Sequence, residues 1–190
     1  MAPKPRQSRE QLLEAAFRVL RREGEDAVNI RAVAAEAGCS TQPVMTHFPT
    51  AGALKEALYE MADACHTGYI MPENQQDENP MLGIGLRYIR FAAEEPQLFR
   101  FLFQSGRLGT DDVMGLTRNE ALAPLFGMLS REAGITEAQA QEAFAAIYYV
   151  THGIASLLAN NAMQYDEAYC TGMLTAVFFG VIGAMKGGAV

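Results

Sequence analysis

Hydrophobic and polar residues follow the period of an α-helix along most of this chain. Apolar side chains recur every three or four positions, as the buried face of an amphipathic helix requires. Capping residues and breakers divide the pattern into segments: Ser8 begins a first helix, Gly24 ends it, and Pro96 begins a new helix after a break at Glu95. The pattern therefore predicts an all-α fold.

Residues 29–48 contain two short helices joined by a turn of about three residues. Asn29 is a favourable N-cap for the first helix, and Gly38 stands where helices commonly end in a left-handed residue. Ser40 is placed to cap the second helix, whose first turn tolerates Pro43 because amides there lack intrahelical acceptors. This arrangement predicts a helix-turn-helix within a three-helix head.

In a DNA-binding helix-turn-helix, the N-terminal part of the second helix meets base edges in the major groove. The small and polar side chains there are the candidate base contacts: Thr41, Gln42, Pro43 and Met45. Candidate contacts around them, including a basic arm before the first helix, are Arg6, Arg9, Arg31, Thr46, His47 and Lys55. For His47, packing between helices stays open beside a phosphate contact.

The charge distribution permits a nucleic-acid partner although the net charge is -7. Residues 1–58 hold eight Lys/Arg against seven Asp/Glu, and the remainder holds seven against fifteen, so the acidic excess lies in the second part. Cys39, Cys65 and Cys170 lack metal-type spacing, and we expect reduced core thiols of a cytoplasmic protein. No secretory signal, metal site or cofactor is expected.

The first 60 or so residues resemble the DNA-binding head of the TetR family of bacterial transcriptional regulators. The residues that carry this resemblance are Leu13, Ala15, Ala16, Gly24, Ile30, Val33, Ala34, Ala37, Gly38, Ser40, His47, Phe48 and Leu54. The resemblance implies that the helix from Thr41 to His47 enters the major groove of double-stranded DNA. It also implies a helix-turn-helix DNA-binding domain over residues 1–50 and an effector-binding and dimerisation domain over residues 51–190.

Two positions depart from the family pattern. Met45 stands where the family usually has a Tyr, and a thioether cannot hydrogen-bond a phosphate as a phenol does. Ala51 stands where the family usually has a Lys, and Lys55, one helical turn further on, is the candidate substitute.

Beyond a polar linker over residues 71–80, the chain is predicted to form a helical body, in which Pro124 should kink one helix. Residues 88–103 resemble a junction found in C-terminal domains of the same family. Aromatic residues and polar tips on the body helices are the candidate effector pocket: Tyr88, Phe91, Phe99, Phe103, Phe126, Tyr148, Tyr149 and His152. They predict an apolar or aromatic small effector, and a purely core role is the alternative for each.

The last helix carries no charged residue from Ala168 to Met185, a length at the lower limit for a membrane span. Gly172, Ala176, Gly180 and Ala184 lie four residues apart, and such a stripe lets another helix approach closely. We therefore expect a homodimer and no membrane insertion. The candidate interface residues are Leu158, Gly172, Ala176, Val177, Gly180, Val181 and Ala184. The resemblance implies the same answer, with the last two helices of each subunit forming a four-helix interface.

These patterns predict a ligand-responsive transcriptional regulator, a repressor that binds a pseudo-palindromic operator as a homodimer and is released by a small effector. The alternative is a helical ligand- or partner-binding dimer with weakened or lost DNA binding, which Met45 and Ala51 motivate. An enzyme is not expected, because Gly83-Ile-Gly85 lacks both the preceding strand and the third glycine of a dinucleotide-binding loop.

Overall fold

The structure is a computed structural model that describes residues 7–74, 76–106, 118 and 120–187. These residues form helices and no strand, which confirms the predicted all-α class. In chain order the α-helices are α1 (Arg9–Glu23), α2 (Ile30–Glu36), α3 (Thr41–His47), α4 (Ala51–Ile70), α5 (Pro80–Glu94), α6 (Pro96–Phe103), α7 (Ala123–Ala133), α8 (Glu137–Ala159) and α9 (Glu167–Lys186). Short 3₁₀ helices cover Glu25–Ala27 and Glu120–Leu122.

Side-chain caps set the starts of several helices. Ser8 and Thr136 each close a reciprocal capping box at the start of α1 and α8. The Asn29 side chain accepts hydrogen bonds from the amides of Arg31 and Ala32 at 3.1 and 3.0 Å. These caps satisfy amides that the helix itself leaves without acceptors.

Two local predictions are wrong. Ser40 occupies the N-cap position of α3, but its side chain makes no capping hydrogen bond. Pro124 does not kink a helix, because α7 begins at Ala123 and the proline lies in its first turn.

Cys65 also differs from the expected core thiol. Its residue is exposed on α4, whereas Cys170 is buried as expected.

The chain divides into two compact units, and the first contains residues 1–69 and 95–107. Within it α1 packs against α2, α3 and α6. Four residues of α6 are fully buried, namely Leu98, Phe99, Phe101 and Leu102. The helix-turn-helix thus shares a core with α6, while the predicted functional boundary after residue 50 stays a prediction.

The second unit contains residues 70–94 and 108–190 and is built on α5, α7, α8 and α9. One apolar cluster centres on Phe126, Leu129 and Ile182, and a second on Ile89, Leu158 and Leu174. Both clusters use residues of α9, so one side of that helix is part of the core.

Candidate DNA-binding, effector and dimerisation surfaces

Helix α3 is held by a single buried side chain. Val44 is fully buried, a burial worth about 1.5–3 kcal/mol for a side chain of this kind. Of the other residues on this seven-residue helix, Pro43 is half-buried and the rest are exposed, including Met45 at 51 %. The predicted base contacts Thr41, Gln42, Pro43 and Met45 therefore lie on one short helix that presents most of its surface to solvent.

The turn before α3 is fixed by backbone geometry. Gly38 has a positive φ of 66°, in the left-handed region that favours glycine. The amide of Cys39 donates to the carbonyl of Ala34 at 2.9 Å and closes the end of α2. The chain thus reverses within the few residues that the sequence predicted.

Four further predicted DNA contacts occupy exposed positions on or around α3. The Arg9 guanidinium stacks over the Phe48 ring, 5.2 Å from its centroid, which directs the start of α1 towards the end of α3. Arg31 on α2 and His47 on α3 are exposed. Thr46, also exposed, donates its hydroxyl to the carbonyl of Gln42 at 2.9 Å. Arg6 lies outside the described residues.

Lys55 already has an ion-pair partner and is not free to contact a phosphate. Its ammonium forms an ion pair with Glu25 at 2.8 Å, and both side chains are about three-quarters buried. Glu25 also lines a polar cleft of about 300 Å³ together with α6 residues such as Gln97 and Arg100. A phosphate would have to displace this carboxylate, so the ion pair argues against Lys55 as the substitute for the missing lysine.

Ion pairs between helices were missed by sequence reasoning. Glu36 on α2 pairs with Arg18 at 2.8 Å and with Arg22 at 3.1 Å, and the hydrogen bonds from these guanidinium groups lower the pKa of Glu36. Arg21 makes a two-point contact with Glu95 before α6, and this contact raises the pKa of Arg21. These arginines therefore link α1 to α2 and to the residue before α6.

Three of the eight predicted effector residues meet in the body. The Tyr88 hydroxyl lies 2.9 Å from Nδ1 of His152 and 3.5 Å from the Tyr148 hydroxyl. Burial raises the pKa of both tyrosines and lowers the pKa of His152. All three side chains are therefore neutral near pH 7.

The other five effector candidates are dispersed. Phe91 and Phe99 are fully buried, and Phe103 packs edge-on against His66 with ring centroids 4.9 Å apart. Phe126 packs edge-on against Phe144 of α8. Tyr149 is 58 % exposed. Phe99 and Phe103 belong to the first unit, whereas Tyr88 belongs to the second.

A small apolar cavity lies elsewhere in the body. It has a volume of about 50 Å³ and is lined by Asn79, Met81, Leu82, Gly85, Ile147, Leu174, Thr175, Phe178 and Phe179. None of the predicted effector residues is among them. Ligand sites usually enclose about 300–1,000 Å³, so this cavity is smaller than a typical effector site.

The side of α9 that faces away from the core is uncovered. Cys170, Leu174 and Ile182 are buried, whereas six other residues form an exposed stripe: Tyr169, Gly172, Ala176, Phe179, Gly180 and Gly183. Phe179 is 67 % exposed. Helix α8 likewise exposes Tyr149, Gly153 and Leu157 at intervals of four residues.

The predicted interface residues divide between this stripe and the core. Gly172, Ala176 and Gly180 lie on the stripe, while Val177, Val181 and Ala184 are half-buried beside it. Leu158 is buried in an apolar cluster of its own chain, so its prediction as an interface residue is wrong. The adjacent Leu157 is exposed instead. Among the described residues, α9 is also the one helix long and apolar enough to cross a membrane, which is weak evidence for a span.

Comparison with known proteins decides the family. Residues 12–60 match the profile of the bacterial regulatory proteins of the tetR family. Residues 81–178, more than half of the chain, match the profile of the tetracyclin repressor-like C-terminal domain. The chain belongs to the TetR family. It is therefore a DNA-binding transcriptional regulator and not an enzyme.

One solved structure shares the fold of this chain. The crystal structure of apo ActR from Streptomyces coelicolor matches with a TM-score of 0.53 over 99 % of this chain and 100 % of that chain. The two sequences are 17 % identical, so the likeness concerns the fold alone. No curated protein sequence matches this chain.

Proposed function

We propose that this TetR-family chain is a homodimeric repressor that binds a pseudo-palindromic operator and is released by a small effector. The observation that carries the proposal is α3, whose residues other than Val44 are exposed or half-exposed although the helix packs on α2 and α1. A short helix with one anchoring residue and a polar outer surface suits insertion into a major groove.

We assign base contacts to Thr41, Gln42, Pro43 and Met45. The amide of Gln42 suits the two-point recognition of adenine, and the methyl groups of Thr41 and Met45 suit contact with a thymine methyl. We assign contacts with the DNA phosphate backbone to side chains on and around α3, namely Arg6, Arg9, Arg31, Thr46 and His47. Lys55 is omitted from this set because of its ion pair with Glu25.

Dimerisation follows from the exposed stripe on α9. An apolar, largely uncovered helix face of this kind marks an interaction surface. A Cβ placed on Gly172, Gly180 or Gly183 would meet nothing within 4 Å apart from the adjacent backbone of its own helix, so packing inside the subunit does not require glycine at these positions. Close approach of a partner helix does require small residues. We therefore propose that α8 and α9 pair with the same helices of a second copy.

We place the protein in the cytoplasm, where the operator DNA lies, and not in a membrane. One side of α9 packs in the core of its own unit through Cys170, Leu174 and Ile182. A four-helix interface buries the other side without lipid.

The effector site is proposed to lie in the body, in the group of polar and aromatic side chains around Tyr88. An effector changes the fraction of protein bound to DNA only if it binds the DNA-bound and the DNA-free conformation with different affinities. Release from the operator therefore requires a ligand that prefers the free arrangement.

The experiment uses a mobility-shift titration with DNA from upstream of the protein's own gene at low salt. We expect a complex of one dimer per site. A variant with Thr41→Ala and Gln42→Ala should lose the specific complex while keeping its thermal stability, because both residues are exposed. The matched control, Glu56→Ala on α4, should bind as the wild type does.

The second candidate is a ligand- or partner-binding dimer that has lost DNA binding. Met45, Ala51 and the Lys55–Glu25 ion pair favour it, because together they leave fewer phosphate contacts than the family pattern provides. Absence of any complex at low salt, for a protein that is dimeric and folded, would select this candidate over the repressor.

A further inference from the structure

Gln7, the residue before the Ser8 cap of α1, ties the start of α1 to the helix-turn-helix. Its side-chain amide donates a hydrogen bond to the carbonyl oxygen of Ala37 at 3.2 Å, across 30 positions of the sequence. Ala37 is the C-cap of α2 and comes directly before Gly38, the left-handed residue of the turn. The last carbonyls of a helix have no partner inside that helix, so Gln7 supplies a donor that α2 itself lacks. The segment that enters α1 is therefore attached to the turn that leads into α3.

Arg9 makes a second contact, beyond the other end of α3. Its guanidinium lies 5.2 Å from the centroid of the Phe48 ring, a favourable cation–π distance. Phe48 is the C-cap of α3 and is fully buried, which fixes the position of its ring. The helix between the two contacts has seven residues and is about 10 Å long. Gln7 and Arg9 therefore hold the start of α1 at the turn before α3 and at the residue after it.

The bond of Gln7 restricts where Arg6 can act. Consecutive Cα atoms are about 3.8 Å apart, so the backbone of Arg6 must start beside the anchored Gln7. Gln7 is bonded close to the N-terminal part of α3, which is the part that meets base edges in a helix-turn-helix. Phosphates line both edges of the groove that such a helix enters, and they accept hydrogen bonds from arginine. An arginine held at this place is therefore positioned to contact a phosphate that flanks the base contacts.

The same bond lowers the entropic cost of a phosphate contact by Arg6. A segment that becomes ordered only on binding loses conformational entropy at that moment, and this loss weakens the complex. Gln7 is half-buried and bonded to Ala37 in the DNA-free protein. Arg6 therefore loses less freedom on DNA binding than it would beside an unattached residue.

The chemistry of the bond suits a surface that binds DNA. It joins two neutral groups, so salt ions and phosphates compete with it less than they compete with an ion pair. The Lys55–Glu25 ion pair differs in this respect, because a phosphate competes with the carboxylate for the lysine. Residues 1–9 contain three Lys/Arg and no Asp/Glu, so this end of the chain carries no carboxylate side chain that would repel a phosphate.

We propose that Gln7 is a positioning residue for DNA binding, whose bond to Ala37 holds Arg6 where it contacts a phosphate beside the base contacts of α3. Gln7 itself touches no DNA in this arrangement. The inference rests on the proposed function, which assigns Arg6 and α3 to the operator, and it names the residue that sets the position of Arg6.

The first test detects the bond without DNA, by tryptic cleavage of the full-length protein after Arg6. Trypsin does not cut after Lys4, because Pro5 follows it. Gln7→Met keeps the length of the side chain and removes the donor. Mass spectrometry should show the loss of residues 1–6 about fivefold faster in this variant than in the wild type, as the loss of one hydrogen bond predicts. Equal cleavage rates would overturn the proposal.

A second variant repeats the cleavage test with a different side chain. Gln7→Glu also lacks a donor, because an ionised carboxylate only accepts hydrogen bonds, and it should be cleaved as fast as Gln7→Met. Wild-type rates for this variant would contradict the proposed bond. Thermal unfolding of each variant verifies that it is folded.

The other test is a double-substitution cycle on DNA binding, measured by fluorescence anisotropy with a duplex from upstream of the protein's own gene. In the wild-type background, Arg6→Ala should weaken binding about tenfold, because each subunit of the dimer loses a phosphate contact. In the Gln7→Met background, the same substitution should weaken binding by about threefold or less, because Arg6 is no longer held in place. A purely structural role of Gln7 predicts that the two effects multiply, and that result would overturn the proposal.

The matched control is Gln164→Met, the same replacement at an exposed glutamine of the second unit. It should change neither the DNA affinity nor the rate of cleavage after Arg6. A change of either quantity as large as that of Gln7→Met would show that the effect is not specific to Gln7 and would overturn the proposal.

The positioning role and the repressor function fail in distinguishable ways. A wild-type protein that binds no DNA refutes the repressor, and the role of Gln7 in DNA binding with it. A protein that binds DNA, but in which Arg6→Ala has the same effect with and without Gln7, refutes the positioning role alone.

Discussion

Replacement of Gly180 by leucine should weaken the dimer interface and leave the fold of the subunit intact. Gly180 is exposed at a mid-helix position of α9, and an added Cβ would meet nothing within 4 Å apart from the adjacent backbone of its own helix. Within the subunit, leucine should stabilise the helix by about 1 kcal/mol, because glycine is the poorer helix former. At a two-fold interface, each copy inserts one extra side chain into a close helix contact.

The expected loss follows from the packing. Overpacking costs about 1–3 kcal/mol per inserted side chain, and two-fold symmetry inserts two. Dimerisation should therefore weaken by roughly 2–6 kcal/mol, which is about 30-fold or more in the dimer dissociation constant. Operator binding should fall with it, although Gly180 contacts no DNA in the proposed complex.

The assay is sedimentation velocity over a range of concentrations, paired with thermal unfolding. The control is Gly68→Leu on α4, another exposed helical glycine at which a Cβ meets nothing within 4 Å. It should leave the dimer intact. A Gly180→Leu protein that stays dimeric at the concentrations where the wild type does would refute the assignment of the α9 stripe to the interface.

Three further predictions concern residues of the first unit. Burial lowers the pKa of His66 from 6.5 to about 4, so the unfolded chain binds more protons between these values; stability should be full above pH 6.5 and fall as the pH drops towards 4. The loss at pH 5 should be about 2 kcal/mol, measured by urea unfolding as the difference between the wild type and His66→Phe. Gly24→Ala should lower the unfolding free energy by about 1–3 kcal/mol in urea titrations, because its φ of 88° and ψ of 178° suit glycine alone. Met45→Tyr should tighten operator binding about 2- to 10-fold in fluorescence anisotropy by adding a phosphate hydrogen bond, and an unchanged affinity would contradict the proposed place of Met45 at the DNA.

Structural elements that are determined by residues close together in the sequence were predictable. The capping boxes at Ser8 and Thr136, the Asn29 cap and the left-handed Gly38 all follow from local spacing, and each is present. The helix-turn-helix follows from them, because its turn is too short for other geometries.

Features that depend on contacts between distant residues were not predictable in the same way. The sequence predicts Lys55 as a phosphate contact, but its ion-pair partner Glu25 lies 30 residues away in the chain. Pro124 was misplaced because a proline fits the first turn of a helix as well as a kink, and spacing alone does not separate the two.

The effector residues show the same limit. Helical spacing places Tyr148 and His152 on one face of α8, but it does not say which face of α5 meets them. The approach of Tyr88 to His152 depends on the packing of α5 against α8, which the structure supplies. Aromatic residues at core spacing, such as Phe91 and Phe99, gave the same signal and are fully buried.

Selection of binding sites from random-sequence DNA tests the central claim most directly. If two copies of α3 read successive major grooves, the protein should enrich an inverted repeat whose half-sites are centred about 10–10.5 base pairs, or a multiple of this, apart. Substitution of Thr41 and Gln42 should abolish the enrichment. Recovery of no common sequence, or of a single unrepeated half-site by a dimeric protein, would contradict the account.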